Sequence, residues 1–464
     1  MISTIMIVQK DVIGMIRFEI MGGVRVYGLS KKLRDKVYHD LSFPNKTYTD
    51  AKKYGRYISS EIQPFHHFFS VNKEEKYLYV PRGYFYHLHM HIHQLKLQHE
   101  IVDKTLVLPE LELTFKGTPR DYQEKAIKEV MRYPNGVLQG TTGCGKTFMG
   151  INMIAKRKQP TLVLVHSREL LDQWVDSIDN LLGVPVGIVG GGKFNIEDIT
   201  VGIVNSVKNK AEELRGRFGH IICDEVHRSV ASMWTETLGR FPAKYYLGLS
   251  ATVYRNDGLD NAINAFIGPT MHKVDKEHLF KTGAVLKPEV IKMHTHFDMP
   301  PRSAYSDVVH HMVKDKHRNK LIVDTVMNDI SKFKSPILIV SDRVKHCEVL
   351  ASMLESKGAD VSLLMSKMSK GDRLNSVEDI RDGSTSILIA TVALIGEGFD
   401  APNLHALFLT TPIKFEGRIV QTVGRILRPE KGKTARLYDF RDDNIWMLKS
   451  SGKKRDAVYK KEWS

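Results

Sequence analysis

The chain has 464 residues, 42% of them apolar, which is enough for several packed cores and too many for a disordered polypeptide. Its 68 basic and 53 acidic residues leave a formal charge of +15, which points to a polyanionic partner, nucleic acid before membrane. Cys144, Cys223 and Cys347 show no paired spacing, and no apolar run is long enough to span a bilayer, so neither a disulfide scaffold nor a membrane-spanning helix is expected. The apolar N-terminus is interrupted by Lys10, Asp11, Arg17 and Glu19 and predicts no signal peptide, so a reduced, cytoplasmic setting is expected.

Residues 1–110 form the first expected domain, a small α+β segment. "MIRFEI" and "KYLYVPRGYFY" predict strands, and "SKKLRDKVYHDL" predicts a charged helix. Within this segment "HLHMHIHQ" would line up His87, His89, His91 and His93 along one face of a strand, where they could chelate a metal. In a helix they would be spread around it. No cysteine or acidic cluster completes such a site, so polar surface or phosphate contact is the expected role.

Across residues 111–278, strand-like runs (TLVLVH, DITVGIV, HIICDE, YYLGLS) alternate with helical stretches, and across 279–464 the rhythm resumes (PILIVS, VSLLMS, TSILIAT, ALFLTT). Two α/β domains, each with a parallel sheet covered by helices, are predicted. The glycines of "IVGGGKF" predict a loop, and "KKRDAVYKKEWS" a solvated basic tail.

Three stretches carry chemistry. "GTTGCGKT" (Gly140, Thr141, Thr142, Gly143, Cys144, Gly145, Lys146, Thr147) has the spacing of a phosphate-binding loop, with a short apolar run before it and a helix-compatible run after it. Its small residues let backbone N–H groups converge on phosphates, Lys146 reaches the outer phosphates, and the Thr147 hydroxyl suits Mg²⁺. "IICDEVH" ends an apolar strand in two carboxylates: Asp224 is suited to hold Mg²⁺, and Glu225 to accept a proton from the attacking water. In "QTVGRILR", Arg425 and Arg428 are three apart and are expected to share a helical face, from which they would complete a nucleotide site in the preceding domain. An isolated carboxylate pair or arginine pair is more often solvated surface; the phosphate loop upstream changes that balance.

The ordered set resembles the superfamily-two DExH helicases and translocases over about residues 111–430. The resemblance implies two RecA-like parallel-sheet domains in tandem, with the α+β segment in front. "RDYQ" is similar to the adenine-reading element, with Arg120 and Gln123 at the base. "GTTGCGKT" and "DEVH" resemble motifs I and II, and "GLSATVYRNDG" motif III, where Ser250, Ala251 and Thr252 would link hydrolysis to grip. "VHSREL", with Arg168, and "TVGIVNSV", with Ser206, resemble the strand-binding motifs Ia and Ib. "ATVALIGEGFDAP" resembles motif V, with Thr391 on the nucleic-acid backbone and Asp400 on the ribose, and "QTVGRILR" resembles motif VI. Within the superfamily, "SATVYRNDG" and "IGEGFDAP" look most similar to XPB-like DNA helicases and UvsW-like phage branch-migration helicases. The front segment, with "AKKYGR" and "YVPRGYFYHL", is similar to that of the phage and bacterial proteins. His166-Ser167 and Asn205-Ser206 depart from the common Pro-Thr and Gln-Ser pairs of these motifs.

The expectation is an ATP- and Mg²⁺-dependent DNA helicase or translocase, in the host cytoplasm if phage-encoded, that acts in branch migration, fork reversal or D-loop unwinding. Its partner would be single-stranded and branched DNA, with residues 1–110 engaging duplex or a junction. On this view a chain starting near residue 111 would keep the ATP site. An RNA helicase and a nucleotide-switched DNA-clamping subunit of a restriction-like complex remain the alternatives.

Overall fold

The computed structural model describes residues 15–225, 236–251, 260–300, 303–395, 401, 403–413, 416–430 and 432–463. Two compact units divide the chain: Met1–Gly140 with Gly145–Val274, and Thr141–Cys144 with Asp275–Ser464. No helix among the described residues is long and apolar enough to cross a membrane.

The front of the first unit runs β1 (Ile16–Ile20), β2 (Gly23–Tyr27), α1 (Lys31–Asp40), β3 (Ser42–Pro44), α2 (Lys46–Lys53), β4 (Phe65–His67), β5 (Ser70–Asn72), β6 (Tyr77–Pro81), α3 (Tyr84–Gln94) and β7 (His99–Asp103). Five of the strands pair in the order β5-β6-β2-β1-β7, antiparallel except for β1 with β7. Helix α1 starts where Ser30 accepts the Leu33 N–H, and it buries Leu33 and Val37, four apart on one face. The strand expected over "KYLYVPRGYFY" stops at Pro81, and α3 begins at Tyr84. Tyr84, Leu88 and Ile92 recur every four residues and turn inward, so the helical period wins over the alternating histidines. The histidines are therefore spread around α3 and do not form the chelating face that a strand would give.

The rest of the first unit contributes α4 (Asp121–Val130), β8 (Asn135–Gln139), α5 (Lys146–Arg157), β9 (Thr161–Val165), α6 (Arg168–Leu182), β10 (Val186–Gly190), β11 (Lys193–Asn195), β12 (Ile199–Ile203), α7 (Val204–Asn209), β13 (His220–Asp224), β14 (Tyr245–Ser250) and β15 (Thr270–Lys273). The eight strands order as β11-β10-β12-β9-β13-β14-β8-β15, all parallel except the β10–β11 hairpin. Every residue of β9 and of β13 is buried, as the continuous apolar runs require of strands covered on both faces. One apolar cluster joins this sheet to the front one, from Phe18, Val80 and Leu88 to Val137, Leu162 and Ile221.

The second unit holds β16 (Glu289–His294), α8 (Lys316–Phe333), β17 (Ile337–Ser341), α9 (Val344–Glu355), β18 (Val361–Leu364), α10 (Lys370–Asp382), β19 (Ile387–Thr391), β20 (Ala406–Leu409), α11 (Glu416–Gly424), β21 (Arg436–Arg441) and α12 (Trp446–Trp463). Its six strands are all parallel, in the order β16-β21-β20-β17-β19-β18. Strand β21 is buried throughout yet carries Arg436, Asp439 and Arg441. Each has a charged partner: Arg436 donates to both oxygens of Asp329 at 2.8 and 2.9 Å, and Asp439 accepts from Arg455 and from the Tyr459 hydroxyl. Arg441 donates to Asp456. The stretch expected to be a solvated tail is α12, a helix tied to β21 by these bonds.

Candidate nucleotide site

Strands β8, β13 and β14 lie side by side, and their carboxyl ends carry the phosphate loop, the carboxylate pair and Ser250. This is the edge at which open α/β sheets bind ligands. The Gly140 N–H donates to the Ser250 carbonyl at 3.0 Å and fixes the base of the loop to β14. Gly143 and Gly145 both have positive φ, 87° and 82°, and Lys146 then opens α5. A Cβ on Gly145 would fall 2.4 Å from the Gln123 side-chain nitrogen, so only glycine lets Gln123 approach the loop. The first turn of a helix does not use its amide N–H groups within the helix, so the start of α5 is the kind of place that takes an anion. The Lys146 ammonium donates to the Gly140 carbonyl at 3.0 Å, across the loop it is expected to serve.

Gln123 is buried in the first turn of α4, and its side-chain oxygen accepts the Arg120 N–H at 2.9 Å. Arg120 itself is exposed. The structure therefore brings Gln123 to the phosphate loop and holds it there by the Arg120 backbone.

Asp224 closes β13 and is 5% exposed. One of its oxygens accepts the Glu225 N–H at 2.9 Å, and the other accepts the indole N–H of Trp174 at 2.8 Å. Burial, reinforced by the Glu225 charge, pushes the Asp224 carboxyl above the usual carboxylate range, against the Trp174 hydrogen bond and the Lys146 charge. Glu225 has φ +49°, a left-handed backbone that a non-glycine residue adopts at a cost of about 1–3 kcal/mol. That bend ends the strand alternation, which would have sent the two neighbouring carboxylates to opposite faces of the sheet. Trp174 is fully buried in α6, and no sequence motif marks it. Its apolar spacing is that of any core aromatic, and only the fold shows that its donor meets Asp224.

These residues fit a nucleotide with Mg²⁺. Thr147 and Asp224 are hard oxygen donors, and two adjacent carboxylates at a buried strand end are an arrangement that a divalent cation relieves. No group of three or more His, Cys, Asp or Glu converges among the described residues. A Mg²⁺ ion bound through one carboxylate, a hydroxyl, water and phosphate oxygens does not require one.

Arg168 opens α6 after β9, donating to the Gly191 carbonyl at 2.7 Å, and Ser206 sits in α7 after β12. Both follow the same carboxyl edge of the sheet. Thr391 ends β19 in the second unit's sheet. Helix α11 stops at Gly424, so Arg425 and Arg428 do not share a helical face; they lie in a run of tight turns, where Arg425 donates to the Ile395 carbonyl at 3.0 Å. The expected helix is cut short because the N–H groups of Arg425, Ile426 and Leu427 bond three residues back instead of four. Asp400 and Thr252 lie outside the described residues, as does His227 of the DEVH sequence.

Two family models match the chain: "Type III restriction enzyme, res subunit" over residues 116–255 and "Helicase conserved C-terminal domain" over 317–430. The chain is 27% identical over 338 residues to "Probable helicase D10" of Escherichia phage T5, covering 73% of this chain and 74% of that one. It is 24% identical over 389 residues to "DNA 3'-5' translocase XPB2" of Sulfurisphaera tokodaii, covering 75% and 86%. A solved fragment of a putative HsdR subunit of a type I restriction enzyme from Vibrio vulnificus YJ016 aligns with a TM-score of 0.57 at 19% identity, over 70% of this chain and 65% of that one. This likeness shows the fold, tandem RecA-like domains.

Proposed function

Because the chain belongs to the superfamily-two DExH helicases, and is thus an ATP-dependent nucleic-acid helicase, we propose that it is a DNA translocase that remodels branched DNA by branch migration, fork reversal or D-loop unwinding. The observation that carries the branched-DNA reading is the make-up of the front segment. Tyr54 and Tyr57 are 62% and 90% exposed, Lys53 and Arg56 lie over the Tyr54 ring, and the five-stranded sheet of the same segment shares its core with the first RecA-like sheet. Exposed aromatics among cations suit the phosphates and unstacked bases of a junction. A recognition surface fixed to the motor would feel each step that the motor takes. We accordingly assign residues 1–110 to duplex or junction recognition, 111–278 to ATP binding and 279–464 to the second RecA-like domain, in a protein of the cytoplasm.

In this reading Gln123 and Arg120 meet the base, Asp400 the ribose and Gly140–Thr147 the phosphates. Thr147 and Asp224 would hold Mg²⁺, which supplies charge neutralisation on the phosphate oxygens when bound. Glu225, next to Asp224 at the strand end, takes the proton of the attacking water. Lys146, Arg425 and Arg428 offset the charge that builds on the transferring phosphoryl group. Arg168, Ser206 and Thr391 hold the strand.

The test is ATP-dependent processing of forks, D-loops, four-way junctions and linear duplexes, alongside ATPase stimulation by single-stranded DNA, branched DNA and RNA. Branched DNA is expected to be processed fastest, and Lys146→Ala to be inert on every substrate while still binding DNA. Equal rates on linear and branched duplexes would remove the junction preference. Stronger stimulation by RNA would replace DNA as the substrate.

A further inference from the structure

Helix α12 presents two unlike faces. Leu448, Arg455, Val458, Tyr459 and Trp463 turn inward, and the Arg455 and Tyr459 bonds to Asp439 fix the helix rotationally. The outward side carries Trp446, 77% exposed, with Lys449, Lys453, Lys454 and Lys460 also exposed. At 100° per residue, positions 446, 449, 453 and 460 fall in one stripe about 60° wide, and the stripe runs about 21 Å along the axis. Asp456 is engaged by Arg441 at 2.7 Å and Lys292 at 2.9 Å, and Lys461 is paired with Glu416. The side chains of Lys449, Lys453, Lys454 and Lys460 make no ion pair or hydrogen bond among the described residues.

From this geometry we propose that the outer stripe of α12 (Trp446, Lys449, Lys453 and Lys460) is a contact for single-stranded nucleic acid, with Trp446 stacking on an unpaired base and the lysines meeting successive phosphates. This rests on the chain's being a nucleic-acid motor, and it adds a contact on a helix that none of the strand-binding motifs includes. The chemistry favours this occupant. A membrane-lying helix needs a broad apolar face, and here the apolar face is spent on the core, leaving one tryptophan outside. Ammonium groups along a rigid rod match a strand of phosphates, and an exposed indole at one end of the row gives a base a surface that duplex stacking would deny it. Fixing α12 to β21 through buried charged bonds means that the stripe is ordered before the strand arrives, so little side-chain and backbone freedom is lost on binding.

The test measures binding of the full-length protein to a fluorescein-labelled oligothymidylate of about 20 nucleotides across a salt series. Trp446→Ala is expected to weaken binding from about fivefold to about a hundredfold with the salt slope retained, and Trp446→Phe to recover most of that loss. Replacing Lys449, Lys453 and Lys460 together by Ala is expected to lower the slope by about 2, near 0.7 for each phosphate no longer neutralised. A control triple at exposed Lys314, Lys320 and Lys332 removes the same charge from the same unit and should move the slope much less. ATPase without nucleic acid and the melting temperature should be unchanged in the stripe variants. Stripe variants with wild-type affinity and slope, or a control triple with an equal effect, would overturn the proposal. A wild-type protein that neither binds the oligonucleotide nor is stimulated by it would instead remove the motor reading, so the two failures are told apart in the unmutated protein.

Discussion

Asp224 is the point at which single atoms decide the chemistry. Trp174 can only donate, and its indole N–H takes up one carboxylate oxygen, so the remaining lone pairs face a fixed direction. Trp174→Phe keeps most of the buried volume and removes the donor. Hydrogen bonds to charged groups contribute about 1.5–3 kcal/mol, so turnover at saturating ATP should fall roughly tenfold or more. The discriminating measurement is affinity for a fluorescent ADP analogue: it should weaken in Mg²⁺ and be unchanged in EDTA, whereas a packing defect would weaken both. A second buried residue, His346, reports on stability. Its ring nitrogens lie 3.0 Å from the Ser341 hydroxyl and 3.0 Å from the Asn319 side-chain oxygen, and burial, reinforced by the Arg318 charge, depresses it to about 3. The folded value lies below the unfolded one, so the unfolded chain binds the proton more tightly. The contribution of His346 is complete above about pH 6.5 and is lost as pH falls towards 3. Melting of wild type and His346→Gln should therefore differ most at neutral pH and converge in acid; a gap that is constant with pH would contradict the linkage.

At the scale of elements, the join between the front sheet and the first RecA-like sheet matters most. Arg82, after β6, is 5% exposed and donates to the carbonyls of Ala243 and Lys244, while Tyr246 lies under its guanidinium at 4.8 Å. A Cβ on Gly83 would come within 2.2 Å of the Asn264 carbonyl, so the chain passes there at backbone contact. Phe68 meets Phe266 edge to face at 4.9 Å, and Lys244 pairs with Asp103. The connecting stretch is pinned as well: Leu106 bridges Ala243, and Leu108 exchanges two hydrogen bonds with the Gln159 side chain. A chain beginning at residue 111 would uncover this apolar surface, so it is expected to be insoluble instead of an intact ATPase. Arg82→Ala strands buried carbonyls and should cost on the order of 3 kcal/mol, read as a lowered urea midpoint for the first unit. A midpoint shift within error would show that the join is incidental.

For the whole molecule, the two RecA-like sheets lie in separate compact units. Charge on the transferring phosphoryl group is largest in the transition state, so replacing Arg425 or Arg428 by Ala should reduce kcat by about 10³ or more with little change in ATP affinity. Weaker ATP binding with kcat intact would contradict that role and leave these arginines as elements of the turn after α11.

Some of this was legible in the sequence because it is local. A phosphate loop requires glycine, lysine and threonine at fixed spacing between a strand and a helix, so Gly140–Thr147 carry their own context, and an apolar run ending in Asp224-Glu225 is a strand end whatever surrounds it. Long buried runs likewise determine parallel sheets, since only strands covered on both faces tolerate them. The rest depended on contacts between residues far apart in the chain. Trp174 and Asp224 are 50 residues apart, and Arg82 and Ala243 161. The histidine run fits either period until Tyr84, Leu88 and Ile92 find a core to bury in, and the basic tail becomes α12 only because Asp439 stands buried and ready to pair with Arg455. Short-range pattern sets which elements form where the period is unambiguous. Burial against a distant partner, which no local window contains, decides the remainder.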